Sequence, residues 1–189
     1  MIEFRDGTPS DAFTIAELHT QSWRNTYRGI LRDNYLDGDI FAERLALWET
    51  RLGNPESTQF SVIAFDEGRP VGFAFVLADA DPQAGALLDN LHVLPEAQGT
   101  GLGKKILRRA GTWVRDQFPG QGIFLWVFEG NAPARRFYEK LGANIVERVI
   151  AEAPGGGRIA EWRYAWADAN DLCHAIDLTI DKYRRRGNE

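Results

Sequence analysis

The chain has one cysteine and one methionine in 189 residues, and its three histidines stand far apart at His19, His92 and His174. A lone Cys173 makes no intrachain disulfide, and no Cys/His cluster has zinc spacing, so neither a disulfide scaffold nor a metal site is expected. That cysteine usage suits a reducing cytoplasm. No apolar run approaches the roughly 20 residues that span a bilayer. The opening Met1-Ile2-Glu3-Phe4-Arg5-Asp6 lacks the apolar core of a signal peptide, and the chain is read as cytoplasmic, with no membrane partner. Basic residues are also in deficit: 22 Lys and Arg stand against 27 Asp and Glu, for a formal charge of -5. That balance offers no basic face to a phosphate backbone, which excludes charge-driven nucleic acid binding and mildly favours a cationic small acceptor.

What is present fits one folded domain: 44% hydrophobic and 26% charged residues over 189 positions supply a sizeable core. Residues 2–5 read as a strand, and Thr8-Pro9-Ser10-Asp11 supplies capping chemistry for a helix that starts near Ser10 or Asp11. A second helix spans about Asp39 to Leu52, with Ile40, Phe41, Leu45 and Trp48 on one face. The period then changes to that of strands. Phe60–Phe65 and Val71–Leu77 flank a turn at Asp66–Pro70, Asp79–Gly85 reads as a further turn, and Leu87–Val93 as a third strand. Helices over Gly101–Phe118 and Asn131–Leu141 bracket a buried strand at Gly122–Phe128, and Gly142 stands where a left-handed cap is wanted. Strands near Ile145–Ile150 and Ala160–Trp166 complete an α/β (α+β) domain with a mixed, mostly antiparallel sheet and helices on both faces.

Gln98-Gly99-Thr100-Gly101-Leu102-Gly103 follows a strand and opens a helix, so its glycines let backbone N–H groups converge on an anion such as a pyrophosphate. Lys104 and Lys105 oppose the helix dipole by about 0.3 to 1 kcal/mol each, a cost that a bound anion offsets. A tight turn with solvated lysines fits the same residues. A Walker loop needs glycine at Gln98 and Ser or Thr at Lys105, and a dinucleotide fingerprint from Gly99 needs glycine at Lys104; both readings fail.

The segment Gln98–Gly103 is similar to the signature of the GNAT superfamily of N-acetyltransferases: Gln or Arg, two residues, Gly, one residue, then Gly or Ala after a strand. Leu91-His92-Val93-Leu94-Pro95 before it and Asn131 to Gly142 after it resemble that superfamily's strand and second cofactor motif. His19 to Leu31 resembles the opening of a GNAT subgroup. The likeness covers roughly residues 2–166, most firmly Asp89–Gly142, and implies acetyl-CoA as acyl donor with no metal. It implies that amides from Gln98, Gly99, Thr100, Gly101, Leu102, Gly103 and Lys104 hold the pyrophosphate. Main-chain groups of Leu91 and Val93 then pair with pantetheine like an added strand. Asn131 and Arg136 join the cofactor site in the same reading.

Transfer to an amine needs a neutral nucleophile, a donor at the developing oxyanion and an acid for the leaving thiolate. By resemblance the Val93 amide is the oxyanion donor and Tyr138 the acid, although Ala134, Phe137, Tyr138 and Leu141 also make an ordinary core face. Asp89 and His92 are the candidate bases. On a regular strand Asp89 shares a face with Leu87, Leu91 and Val93, and His92 shares one with Leu88 and Asn90; a bulge would change that phase. Trp23, Tyr27, Tyr35 and Trp48 supply aromatic surface for an acceptor side or for the core. The domain is expected to span residues 1–166. Residues 167–189 form a helical extension, with Leu172, Ile176, Ile180 and Tyr183 in register and Arg184-Arg185-Arg186 solvated, that packs on the domain or on a partner, a homodimer included. Two other readings stay open: a silent acyl-CoA sensor, and an interaction module on the same fold.

Overall fold

The computed structural model describes residues 1–186, with side chains through Ile180, so Tyr183 and the arginine run fall outside the described side chains. The strands are β1 (Ile2–Asp6), β2 (Gln59–Asp66), β3 (Arg69–Asp81), β4 (Gly85–Val93), β5 (Ile123–Phe128), β6 (Asn144–Glu152) and β7 (Arg158–Trp166). They form one sheet in the order β1-β2-β3-β4-β5-β7-β6. Every pairing is antiparallel except β4 with β5. The helices are α1 (Ala12–Thr26), α2 (Asp33–Leu36), α3 (Ile40–Gly53), α4 (Leu102–Gln117), α5 (Ala132–Lys140) and α6 (Ala169–Arg186). The mixed, mostly antiparallel sheet read from the sequence is therefore present, with helices on both faces.

Local chemistry explains several boundaries. The β2–β3 hairpin turns through Glu67 and Gly68, both with positive φ (49° and 77°), which matches the twist of the flanking strands. Asn131 caps α5 by accepting from the Ala134 N–H at 3.3 Å, and Gly142 follows α5 in the left-handed region at φ 77°. On one face, Leu102, Ile106, Leu107, Ala110 and Val114 of α4 join Tyr138 of α5 and Leu172 and Ile176 of α6. They bury β2, β3, β4 and β5 through Val62, Ala74, Leu88, Leu125 and Val127. α6 approaches α4 closely at Gly111, where a Cβ would meet Cys173 Sγ and Leu172 at 3.2 Å. On the opposite face, Ile15, Leu18, Trp48 and Leu52 of α1 and α3 pack on Ile63, Phe73 and Phe75. A third cluster of Leu31, Leu36 and Ile40 with Trp23, Tyr27, Tyr35, Phe128 and Ile159 extends that face over β5 and β7.

Two element boundaries differ from the sequence reading. β3 runs on to Asp81, which pairs with Gly85, so the expected Asp79–Gly85 turn shrinks to the tip of a long hairpin with Asp79 at φ 54°. The four-residue α2 has no counterpart in the reading, because one turn of helix is too short to show a period.

Candidate active site

β4 and β5 are paired at Ala86↔Ile123 and Leu87↔Phe124 and then diverge, leaving the second half of β4 without a neighbour on that side. The direction of its main chain follows from the other edge. Leu94 N–H donates to Val71 O at 2.9 Å, and the His92 carbonyl faces Gly72, where an added Cβ would meet it at 2.7 Å. N–H and C=O groups alternate sides along a strand, so those of Leu91 and Val93 point into the opening. The register shifts between Phe75 and Val76, leaving Asp89 as the extra residue of a bulge. The bulge overturns the regular-strand phase: Leu91 and Val93 pack against the α4 cluster that Ala86 and Leu88 also join. Asp89 instead meets Arg51 of α3, on the opposite face.

At the end of β4 the glycine segment turns into α4. Gly99 and Gly101 take φ 75° and 81°, with nothing within 4 Å of a would-be Cβ, so glycine is wanted there for conformation and not for space. Among the described residues, the N–H groups of Gly99, Thr100, Gly101, Leu102 and Gly103 give to no protein acceptor. Five clustered donors at the positive end of a 16-residue helix fit a pyrophosphate. Gln98 Nε2 donates to the Val93 carbonyl at 2.9 Å, and Thr100 Oγ1 to the Ala97 carbonyl at 2.7 Å, so these side chains shape the loop. Lys104 is half-buried in the first turn and Lys105 exposed.

α5 flanks the opening from the α4 face. Tyr138 is buried beside Tyr164 and Trp166, and burial, with the nearby Tyr27 hydroxyl, raises its phenol pKa far above the ordinary 10.0. Tyr27 belongs to the cluster on the opposite face, with its ring 5.1 Å from that of Phe128. Burial pushes its phenol up to about 12, with the polar Asn131 side chain working the other way. Arg135 is committed to Tyr164 Oη at 3.1 Å and to the face of Trp162, whereas Arg136 is exposed.

The two base candidates sit differently. His92 lies on the α1 face with Nδ1 2.9 Å from Ser22 Oγ, its ring 4.8 Å from that of His19 and 5.3 Å from that of Phe73. Burial, and secondarily the charge of Arg44, lower its pKa to about 4. His19 is buried, accepts from Trp48 Nε1 at 3.0 Å, and is held well below 6.5 by burial, then by His92, Arg44 and Arg51. Asp89 is bound to Arg51 at 2.6 Å and to the Asn90 amide. The structure thus gathers Leu91, Val93, Gln98–Gly103, Asn131 and Tyr138 around one opening, keeps His92 beside it, and ties Asp89 into an ion pair.

Two residues on the α1 face of the sheet escape the sequence reading, and a third, Tyr27, is read there as aromatic surface for the acceptor side or the core. Arg44 falls on the inward stripe of α3 between Ile40 and Trp48, a charge where the period calls for an apolar residue. Glu161 lies on the α1 face of β7 between Ile159 and Arg163, and burial raises its pKa.

The model of the acetyltransferase (GNAT) family matches residues 15–143, more than half of the chain. A probable N-acetyltransferase of Mycobacterium tuberculosis is 31% identical over 157 residues, 82% of this chain and 87% of the relative. The chain therefore belongs to the GNAT family of N-acetyltransferases. Solved structures share the fold. An N-acetyltransferase from Thermoplasma acidophilum in complex with coenzyme A has TM-score 0.66 and 23% identity, covering 85% of this chain and 98% of that one. An acetyltransferase from Salmonella typhimurium with acetyl-CoA has TM-score 0.64 and 18% identity, covering 88% and 93%. Among the described residues, no helix is long and apolar enough to cross a membrane.

Proposed function

We propose that this protein transfers an acetyl group from acetyl-CoA to an amine by direct attack in a ternary complex. The observation that carries the reading is the opened edge of β4. The Val93 N–H points into it, five unpartnered amides stand at one end, and Tyr138 lies beside it. Residues 99–103, with Lys104 and the exposed Arg136, hold the phosphates, and the main chain of Leu91 pairs with the pantetheine arm, while Val93, whose carbonyl accepts from Gln98 Nε2, offers its N–H at the acyl end. When bound, acetyl-CoA supplies an activated acetyl thioester. The Val93 N–H stabilises negative charge developing on the acyl oxygen. The Tyr138 phenol, kept protonated by its raised pKa, donates a proton to the departing sulfur, and Asn131 caps the start of the helix that carries it.

His92 is assigned proton uptake from the amine. Its pKa near 4 keeps the imidazole uncharged throughout the neutral range, and the amine N–H becomes strongly acidic as the new C–N bond forms, so a weak base suffices. Asp89, held by Arg51, fixes the bulge that turns Leu91 and Val93 toward the opening. Direct attack is favoured because the one cysteine, Cys173, is buried against Gly111 under α4, which leaves no thiol at the opening to carry an acyl group. Residues 1–166 are read as the catalytic unit and 167–189 as an extension. Its Leu172 and Ile176 complete the core, and Asp177 pairs with Arg108 at 2.9 Å.

Initial-velocity measurements with acetyl-CoA and a panel of primary amines test the reading. Intersecting double-reciprocal lines and stoichiometric release of coenzyme A with N-acetyl product are expected. Tight acetyl-CoA binding with no amine modified across the panel would leave a cofactor-binding module and sink the proposal.

A further inference from the structure

Charge placement on the acceptor side of the opening narrows the class of amine, an argument that rests on the acetyltransferase reading of the same site. Arg44 stands at i+4 from Ile40 and i−4 from Trp48, on the stripe that α3 turns inward. Ile40 belongs to the cluster over β5 and β7, and Trp48 to the cluster over β2 and β3. Arg44 therefore sits at the seam between them, above the place where β4 and β5 part. Its side chain is 12% exposed, and its guanidinium carbon lies 4.7 Å over the Trp23 ring. Its Nε is shut off from solvent and makes no hydrogen bond among the described residues.

The neighbouring cations are spoken for. Arg51 is held by Asp89, Arg24 by the Leu36 and Gly38 carbonyls, and Arg163 by two carboxylates, Glu147 at 3.1 Å and Asp81 at 3.7 Å, although its Nε is also unpartnered. The carboxylate that Arg44 touches is that of adjacent Glu43, which is 50% exposed and shared with the Tyr35 hydroxyl at 3.0 Å. Successive helix residues point about 100° apart, so Glu43 lies at the rim while Arg44 faces inward. A buried guanidinium with an orphan donor and a rim carboxylate already engaged elsewhere is suited to a planar anion arriving from the opening.

We propose that Arg44 binds the carboxylate of the acceptor, and that the acceptor is an amino acid and not a simple amine or a polyamine. The carboxylate docks at Arg44 while the amino group is directed toward the Val93 end of the opening. A polycation in the same place would be repelled by Arg44, whose carboxylate partner Glu43 is half exposed and shared with Tyr35.

The test compares kcat/KM for L-amino acids with that for their decarboxylated amines and for spermine, in wild type, Arg44→Lys and Arg44→Gln. A preference of at least about tenfold for the carboxylate-bearing partner is expected in wild type. It should collapse toward unity in Arg44→Gln, survive in part in Arg44→Lys, and leave the KM for acetyl-CoA unchanged. Equal use of amino acid and amine, a preference for spermine, or a ratio untouched by Arg44→Gln overturns the inference and leaves the acetyltransferase reading standing. A second measurement needs no turnover and no folded variant beyond the conservative lysine. In coenzyme A-loaded wild type, the Arg44 Nε–H resonance, identified by its loss in Arg44→Lys, should shift on titration with N-acetylglycine and not with N-methylacetamide. If no amine is acetylated, the acetyltransferase reading fails, and this titration alone decides: a selective shift supports the carboxylate site, and no shift or an equal shift with both probes overturns it.

Discussion

Gln98 Nε2 donates to the Val93 carbonyl at 2.9 Å, which ties the start of the glycine segment to the last residue of the opened strand. That bond uses the Val93 acceptor and leaves its N–H for the acyl oxygen, so one side chain links the phosphate end of the site to its reacting end. A neutral hydrogen bond of this kind contributes about 0.5 to 1.5 kcal/mol. Gln98→Ala is expected to weaken acetyl-CoA binding by up to about tenfold while kcat changes less, as read by calorimetry and steady-state kinetics. An unchanged Kd would show that the loop holds its shape without the bond.

Tyr138→Phe removes the hydroxyl while retaining the ring that packs on Tyr164 and Trp166. Loss of a general acid is expected to lower kcat by about 10²- to 10⁴-fold, with the Kd for acetyl-CoA within about twofold. The protonated phenol is the competent form, and its pKa lies far above 10.0, so wild-type kcat should show no descending limb from this group below pH 10. Turnover equal to wild type in the phenylalanine variant would remove Tyr138 from the chemistry.

Much of this was legible before the fold was known, for reasons that differ by residue. Gly99, Gly101 and Gly142 announce themselves because positive φ selects glycine, and Asn131 and Pro133 because helix starts have their own chemistry. The splay of β4 from β5 is a long-range property of two strands and has no local signature; only the resemblance of Leu91–Pro95 to a family strand pointed to it. The Asp89 bulge is equally silent, since one inserted residue does not change the residue types around it. Arg44 was visible in principle as a charge on an otherwise apolar helical stripe. Tyr27 was not, because nothing in its neighbourhood predicts that its ring packs on Phe128 at the far end of β5.

Arg5 and Asp11 anchor the start of α1. Arg5 donates to both Asp11 oxygens at 2.6 and 2.7 Å, and Thr8 adds its N–H and hydroxyl at 2.8 and 2.7 Å. These bonds lower the Asp11 pKa from 3.8 to about 2, Arg5 being the largest cause. A depressed carboxylate contributes stability that is present above 3.8 and lost as pH falls through about 2. With Arg5 half exposed, the contribution is discounted to about 1 to 2 kcal/mol. Asp11→Asn should therefore unfold in urea at lower concentration than wild type at pH 7, with the gap narrowing below pH 4. A gap independent of pH down to 2.5 would mean that packing, and not charge, accounts for the difference.

The His19 and His92 rings lie 4.8 Å apart beneath α1, and both are held neutral, His92 near 4 and His19 well below 6.5, with burial as the main cause. Each takes up a proton more readily in the unfolded chain, where its pKa is near 6.5. The sign follows: their contribution is complete above 6.5 and lost as pH falls toward the folded values, with a slope approaching about 1.4 kcal/mol per pH unit for each histidine. Wild type should lose stability steeply between pH 6.5 and 4.5, with proton uptake on unfolding nearing two. His19→Gln removes one titrating ring, and the Trp48 N–H that His19 accepts can pass to the glutamine oxygen. The variant should unfold with a slope about half that of wild type over the same window. A slope unchanged by His19→Gln would mean that His19 is protonated in the folded state, contrary to its burial against Trp48 and Phe73.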